Sequence, residues 1–158
     1  MPDLTVSIVQ LEPMTVATSR AFGESPEAQA WKQLRAWAEP RGWLEDLTKH
    51  PVYGFNNPNP SPESREYGYE FWISVEPGEK SNGDIEIQKF PGGLYAVTSC
   101  RLLGEPNVLE TWKLLWQWVH ESEYRWRQTH ELEKPNDPTA PEDEIELELF
   151  LPIEEPGA

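Results

Sequence analysis

The sequence predicts an α+β fold made of two β-β-α-β-β modules related by a pseudo-twofold axis. Three observations lead to it: alternating apolar residues indicate strands, apolar residues at helical spacing indicate two long helices, and a shift of 81 positions relates those helices (112 − 31 = 81). The modules are expected at about residues 3–75 and 84–153, with antiparallel sheets and both helices on one side. Because one helix cannot cover four strands, they are expected to merge into a single domain over residues 1–158.

The clearest strand is predicted at residues 144–153, where apolar and acidic residues alternate. Its apolar face contains Ile145, Leu147, Leu149, Leu151 and Ile153. The opposite face carries three glutamates and Phe150. It is either an ordinary solvent-exposed face or, with Glu148 beside Phe150, part of a concave aromatic site. Pairing is expected to weaken at Pro152, which has no N–H to donate.

In the first module, strands are predicted near residues 4–8, 14–18, 52–55 and 67–75, and residues 56–64 read as a loop. A helix is predicted to begin after Ser25, which is followed by Pro26 and Glu27. These residue types favour an N-cap, the first helical position and the first turn. The stripe expected to face the core is Ala28, Trp31, Leu34 and Ala38.

In the second module, strands are predicted at residues 85–90, 94–102 and 124–126, and residues 133–143 read as an acidic, proline-rich loop. Asn107 is the expected N-cap of the second helix, with Glu110 completing a capping box. Its core-facing stripe is Val108, Trp112, Leu115, Trp116 and Val119. Trp31, Leu34 and Trp37 match Trp112, Leu115 and Trp118 at the same shift. Trp37 and Trp118 lie off the stripes and are expected at the surface or at the edge of a cleft.

Charge and composition exclude several functional classes. The chain has 28 acidic and 13 basic residues, a formal net charge of −15, which repels a phosphate backbone and argues against direct nucleic-acid binding. Cys100 is the single cysteine, and no His or Cys spacing indicates a metal site. There is neither a signal peptide nor an apolar run of about 18 residues, so we expect a cytoplasmic protein without membrane contact. No cofactor is indicated.

Four segments together resemble the GyrI-like effector-binding domain, the small-molecule sensor of AraC-type and multidrug-responsive regulators. They are residues 67–73 (YGYEFWI), residues 91–97 (PGGLYAV), the Trp112-x2-Leu115-x2-Trp118 pattern and residues 148–153 (ELFLPI). The resemblance covers nearly the whole chain. It implies duplicated SHS2-type modules with a central ligand cleft, and a stand-alone member without DNA-binding helices.

The resemblance also implies a ligand and a site. Multidrug-binding members of this family hold lipophilic cations between aromatic rings and a buried glutamate. The corresponding ligand-binding candidates are Glu70, Trp72, Tyr95, Glu148 and Phe150. The family usually has tyrosine where this chain has Phe150, so one hydroxyl group is missing from the expected site.

Three alternatives remain open. Some family members are cyclopropanoid cyclopropyl hydrolases that detoxify genotoxic natural products, and for that activity Glu148 is the candidate base and Tyr95 the candidate hydrogen-bond donor. A gyrase-inhibitor-like protein-interaction module, with gyrase or a regulator as its partner, would suit the acidic surface. Haem binding, known for the similar SOUL-type fold, is disfavoured because no histidine lies on a clear apolar face.

Overall fold

The computed structural model describes residues 4–57, 59, 61–81, 83 and 85–156. Over these residues the chain is α+β, as predicted. Its elements are β1 (Ser7–Leu11), β2 (Met14–Gly23), α1 (Pro26–Ala38), β3 (Val52–Asn56), β4 (Tyr67–Val75), β5 (Glu86–Phe90), β6 (Gly93–Arg101), α2 (Val108–Glu121), β7 (Arg125–Trp126), β8 (Leu132–Pro135) and β9 (Glu146–Glu154). Neither helix has the length and apolar character that crossing a bilayer requires.

The chain divides into two compact units. The central unit is Pro13–Pro91, and the terminal unit combines residues up to Glu12 with those from Gly92 onward. This division differs from the predicted halves because the first strand of each half is exchanged. β1 pairs with β6 rather than β2, and β5 pairs with β2 rather than β6.

The central unit has an antiparallel sheet in the order β3-β4-β2-β5, with α1 packed on one face. Ala17, Leu34 and Ile73 are fully buried between helix and sheet. Trp37, expected off the core-facing stripe, is buried in this core with 6% of its surface exposed. Ala28, expected on the stripe, is exposed, because the buried stripe runs through Pro26, Ala30, Leu34, Trp37 and Ala38.

The terminal unit has an antiparallel sheet in the order β1-β6-β9-β8, with α2 packed on β6 and β9. All five apolar residues predicted for one face of the C-terminal strand lie in its core, as predicted. The pairing of β9 with β6 ends at Pro152 and its pairing with β8 ends at Phe150, as expected for a residue without an N–H, but the short strand β7 continues the pairing beyond it. The Pro152 carbonyl accepts a hydrogen bond from Arg127 N at 3.1 Å.

The stretch at residues 133–143 is not entirely loop. Its first residues belong to β8, which pairs with β9 from Leu132↔Phe150 to Pro135↔Leu147. The strand is only 4 residues long and ends in proline, so it has no alternation long enough to be read from the sequence.

The strand registers follow the same 81-residue shift as the helices. Ser7 lies opposite Val97 in the terminal unit, and Gln88 lies opposite Val16 in the central unit (7 + 81 = 88; 97 − 81 = 16). Trp31 and Trp112 each pack, partly buried, against the core of their own unit. A duplication would produce this agreement, and the pseudo-twofold axis itself stays a prediction.

Candidate functional site

The central unit contains a buried carboxylate on the sheet face opposite α1. Glu70 on β4 has 7% of its surface exposed. Its Oε2 accepts a hydrogen bond from Trp72 Nε1 at 2.7 Å, and its Oε1 accepts one from Asn57 Nδ2 at 3.0 Å. The two carboxylate oxygens are therefore held by neutral donors, one on the same strand and one just after β3.

No cationic side chain among the described residues lies within 4.0 Å of the Glu70 carboxylate. Arg20 is directly opposite Glu70 on β2, but it is exposed, and its Nε donates to the Asn57 carbonyl oxygen at 2.7 Å. Burying a charge is costly unless an opposite charge compensates it. The arrangement suits a ligand that brings a positive charge.

Aromatic rings surround Trp72 beside this carboxylate. The centroid of the Phe55 ring lies 4.8 Å from that of Trp72 with an edge-to-face geometry, and the Phe90 centroid lies at 5.2 Å. Tyr53 is directly opposite Trp72 on β3 and is also buried. Alternation places Tyr53, Phe55, Glu70 and Trp72 on the same face, since paired residues of neighbouring strands share a face.

In the terminal unit, Tyr95 and Phe150 occupy the sheet face opposite α2. Tyr95 is 1% exposed, and its ring centroid lies 5.9 Å from that of Phe150 in an edge-to-face contact. The guanidinium carbon of Arg127 lies 5.0 Å from the Tyr95 ring centroid. Arg127 is fixed by bonds from Nε to the Ile153 carbonyl and from Nη2 to the Leu94 carbonyl, both at 3.2 Å.

The position of Arg127 depends on Gly93. This glycine has a φ of +143°, and a β-carbon there would collide with the Arg127 guanidinium group. The family resemblance includes residues 91–97 but not Arg127, because nothing in the local pattern at residue 127 points to a strand more than 30 residues earlier. The one signal in the sequence is Gly93, two residues before Tyr95, since glycine permits the close approach of another group.

Burial raises the pKa of the Tyr95 hydroxyl above its ordinary value of 10.0, and the nearby Arg127 charge opposes part of that effect. The hydroxyl is therefore protonated at neutral pH and available as a hydrogen-bond donor.

Glu148 shares its strand face with Phe150, as expected, but it is not enclosed. Its side chain is 50% exposed, and its Oε1 lies 3.8 Å from Lys134 Nζ. The partners of Glu148 and Tyr95 on the facing strands, Ser99 and Pro152, place the two residues four positions apart along the sheet. They are separated by about 13 Å. They are therefore beyond hydrogen-bond reach of each other, and their catalytic roles stay predictions.

The five predicted ligand-binding residues are divided between the units. Glu70 and Trp72 belong to the central unit, where they contact each other, and Tyr95, Glu148 and Phe150 belong to the terminal unit. The described residues contain no group of three or more His, Cys, Asp or Glu side chains arranged to hold a metal ion.

Solved structures show that this fold occurs in other proteins. The crystal structure of the EcmrR C-terminal domain has a TM-score of 0.70 and 16% identity, over 96% of this chain and 98% of that one. A hydrolase from Listeria innocua has a TM-score of 0.66 and 12% identity, over 98% and 94% of the two chains. SAV2435 bound to tetraphenylphosphonium has a TM-score of 0.54 and 15% identity, over 96% and 94%.

One of the similar structures belongs to a longer protein. The chain spans 57% of the length of EcmrR in the EcmrR–DNA complex, with a TM-score of 0.71. At such low identities these matches establish the fold alone. None of the curated proteins compared with the chain matches it.

The sequence itself matches a family model. The model of the integron-associated effector-binding proteins, Cass2, aligns with residues 7–153, which include both helices and all nine described strands except the last residue of β9. The resemblance to GyrI-like effector-binding domains is confirmed, and small-molecule binding is the general property of that group. The chain belongs to the integron-associated effector-binding protein family.

Proposed function

We propose that this protein binds a lipophilic organic cation in the central unit, with Glu70 as the counter-charge and Trp72 and Phe55 as aromatic contacts. The observation that carries the proposal is the buried Glu70 carboxylate, which has two neutral donors and no cationic partner among the described residues. A bound cation would compensate this charge.

The aromatic neighbours support the same class of ligand. A cation over a tryptophan or phenylalanine face gains about 0.5–2 kcal/mol, and the gain is largest where water is excluded. Trp72, Phe55 and Phe90 are all less than 10% exposed. The formal net charge of −15 favours the approach of cations over anions.

We expect the ligand to reach Glu70 past the side chain of Asn57. Its side chain is half-buried and covers one oxygen of Glu70, and it stands at the start of the proline-rich segment after β3. Because Glu70 and Trp72 are buried, a ligand reaches them only after covering side chains move. Withdrawal of the Asn57 amide would expose one carboxylate oxygen while Trp72 keeps the other in place.

The relatives support a cation as the first ligand to test. The structure of SAV2435 contains tetraphenylphosphonium, and the family model describes effector binding. Glu148 is kept as a second candidate carboxylate, since it lies on the same strand face as Phe150 although it is half exposed.

The test is a titration of intrinsic tryptophan fluorescence with tetraphenylphosphonium and with tetraphenylborate, two ions of nearly the same shape and opposite charge. Wild type should bind the cation and not the anion. Glu70→Gln keeps the shape but removes the charge, and should weaken cation binding by about 10- to 100-fold, or about 1.4–2.8 kcal/mol.

Two variants complete the design. Glu45→Gln removes an exposed charge in the same unit, from the short helix Trp43–Glu45 that contacts α1 on the other side of the sheet, and serves as the matched control, with little expected change. Glu148→Gln tests the second carboxylate. A loss in Glu148→Gln with none in Glu70→Gln would move the site to the terminal unit, and equal binding of both ions would remove the role of charge.

A further inference from the structure

We propose that the terminal unit has a second binding site, a cavity beneath the first turns of α2 that takes a small neutral molecule with a hydrogen-bond donor. The cavity has a volume of about 310 Å³ and is lined by β6, the segment before β1, the turn after β6 and α2. Pockets that bind small molecules usually start at about 300 Å³.

The cavity contains none of the five candidate ligand-binding residues, Glu70, Trp72, Tyr95, Glu148 and Phe150. Thr98 and Cys100 contribute to its wall from the α2 side of β6, whereas Tyr95 lies on the opposite side of the same strand. The inference therefore does not depend on the cation site in the central unit.

Two threonine hydroxyls give the cavity its preference for a donor. Thr98 Oγ1 donates to the Thr5 carbonyl oxygen at 2.8 Å, and Thr111 Oγ1 donates to the Asn107 carbonyl oxygen at 2.8 Å. Each hydroxyl has one proton, and a carbonyl oxygen can only accept, so both protons are already used. Each oxygen can therefore only accept further hydrogen bonds, and Thr111 already has one with the Cys100 thiol, which leaves one lone pair on Thr111 and those of Thr98 for a ligand.

The other groups around the cavity favour a neutral molecule with an apolar body. Leu4, Leu114 and Pro106 supply apolar surface. Arg101 and Glu105 also line the cavity and carry opposite charges, so their fields partly cancel. A compact aromatic amine, amide or alcohol combines the apolar body with the donor that these groups require.

Alkylation of Cys100 can report whether the cavity is occupied, because Cys100 lines the cavity and is the only cysteine in the chain. Burial raises the pKa of its thiol above the ordinary value of 9.0, and a hydrogen bond with Thr111 opposes part of that rise. The thiol therefore reacts slowly and is not itself expected to trap the ligand. A molecule bound in the cavity should slow its alkylation further by blocking access.

The experiment measures alkylation of Cys100 by iodoacetamide at mildly alkaline pH, using mass spectrometry, with indole or benzothiophene added. The two probes share a bicyclic shape, but only indole has an N–H donor. Indole at ten times its dissociation constant should slow alkylation by about tenfold, and benzothiophene should protect much less. No protection by indole, or equal protection by both probes, would overturn the proposal.

Two kinds of variant distinguish the effect of the Thr111 hydroxyl on ligand binding from the effect of the cavity's shape. Thr111→Val removes one of the two acceptors and should reduce the difference between the probes, whereas Thr111→Ser should retain it. Each alkylation rate is compared with the same variant's rate without probe, because Thr111 also forms a hydrogen bond with the Cys100 thiol. If Thr111→Val fails to fold, Leu114→Trp fills the cavity from the same helix and should remove indole protection. Persistence of protection in the filled variant would overturn the proposal.

A further control keeps this site distinct from the cation site. Glu70→Gln should leave indole protection of Cys100 unchanged, and tetraphenylphosphonium should not protect Cys100. Loss of indole protection in Glu70→Gln would place both ligands at one site and contradict the inference.

Discussion

At the scale of single residues, Glu70 and Trp72 depend on each other. Trp72→Phe keeps an aromatic ring beside Phe55 and Phe90 but removes the indole N–H that binds Glu70 Oε2. A buried acceptor that loses its partner costs about 1–3 kcal/mol. We expect a loss of that size in the free energy of unfolding, measured with urea at neutral pH.

The matched control is Trp126→Phe. Trp126 is 44% exposed and packs against Trp116 alone among the described rings, so its replacement should change stability far less. Equal losses in the two variants would mean that ring size, and not the hydrogen bond to Glu70, accounts for the effect.

Glu131 gives a prediction about pH. Burial raises the pKa of its carboxyl above the ordinary value of 4.5, and the nearby Glu133 raises it further. The folded protein therefore binds the proton more tightly than the unfolded chain, so this group favours folding below about pH 4.5 and disfavours it as pH rises through the folded pKa.

Glu131→Gln should raise the melting temperature at neutral pH, and the gain should disappear in acid below that ordinary value. Thermal unfolding followed by circular dichroism across this range measures it. Glu123→Gln, at an exposed acid nearby, is the control. A gain that persists unchanged in acid would show that ionisation of Glu131 is not its cause.

Some residue-scale features could be read from the sequence and others could not. Alternation correctly placed Glu148 and Phe150 on one face and Glu70 and Trp72 on another. It could not tell that Glu70 is buried while Glu148 is half exposed. That difference depends on packing by distant parts of the chain, such as Asn57, and not on the strand itself.

At the scale of elements, the two helices begin differently. Asn107 accepts a hydrogen bond from Glu110 N at 2.8 Å, as predicted for an N-cap, whereas the Ser25 side chain makes no capping bond. Asn107→Ala should therefore cost about 0.5–2 kcal/mol of stability, measured by urea unfolding. Ser25→Ala should cost little, and an equal cost in both variants would contradict the difference in capping.

Helical spacing alone did not identify which residues of α1 face the core. The sequence placed both helices and their N-caps correctly, yet it assigned Ala28 and Trp37 to the wrong sides. A stripe drawn through Trp31 and Leu34 has two possible continuations, and the choice depends on which residues of β2 and β4 lie beneath. Pairing with these strands is a long-range property that helical spacing does not contain.

At the scale of the whole molecule, the order of strands and helices was predictable but their grouping was not. Short connections favour pairing between neighbours in sequence, and the predicted modules place β1 in one half with β2 and β5 in the other half with β6. In the structure β1 pairs with β6, from Ser7↔Val97 to Leu11↔Gly93, and β2 pairs with β5. The two pairings are themselves related by the shift of 81 positions, since Ser7↔Val97 in one corresponds to Gln88↔Val16 in the other. The repeat is therefore visible in the sequence even though each first strand pairs with a strand of the other predicted half.

A crystal structure with tetraphenylarsonium would show whether a cation binds beside Glu70. This ion has the shape and charge of tetraphenylphosphonium, and its arsenic atom can be located by anomalous scattering. We expect the strongest arsenic peak beside Glu70, with a phenyl group within about 6 Å of the Trp72 ring centroid. An arsenic peak beside Glu148 with none near Trp72, or no ordered peak in crystals at saturating ligand, would contradict a cation site at Glu70.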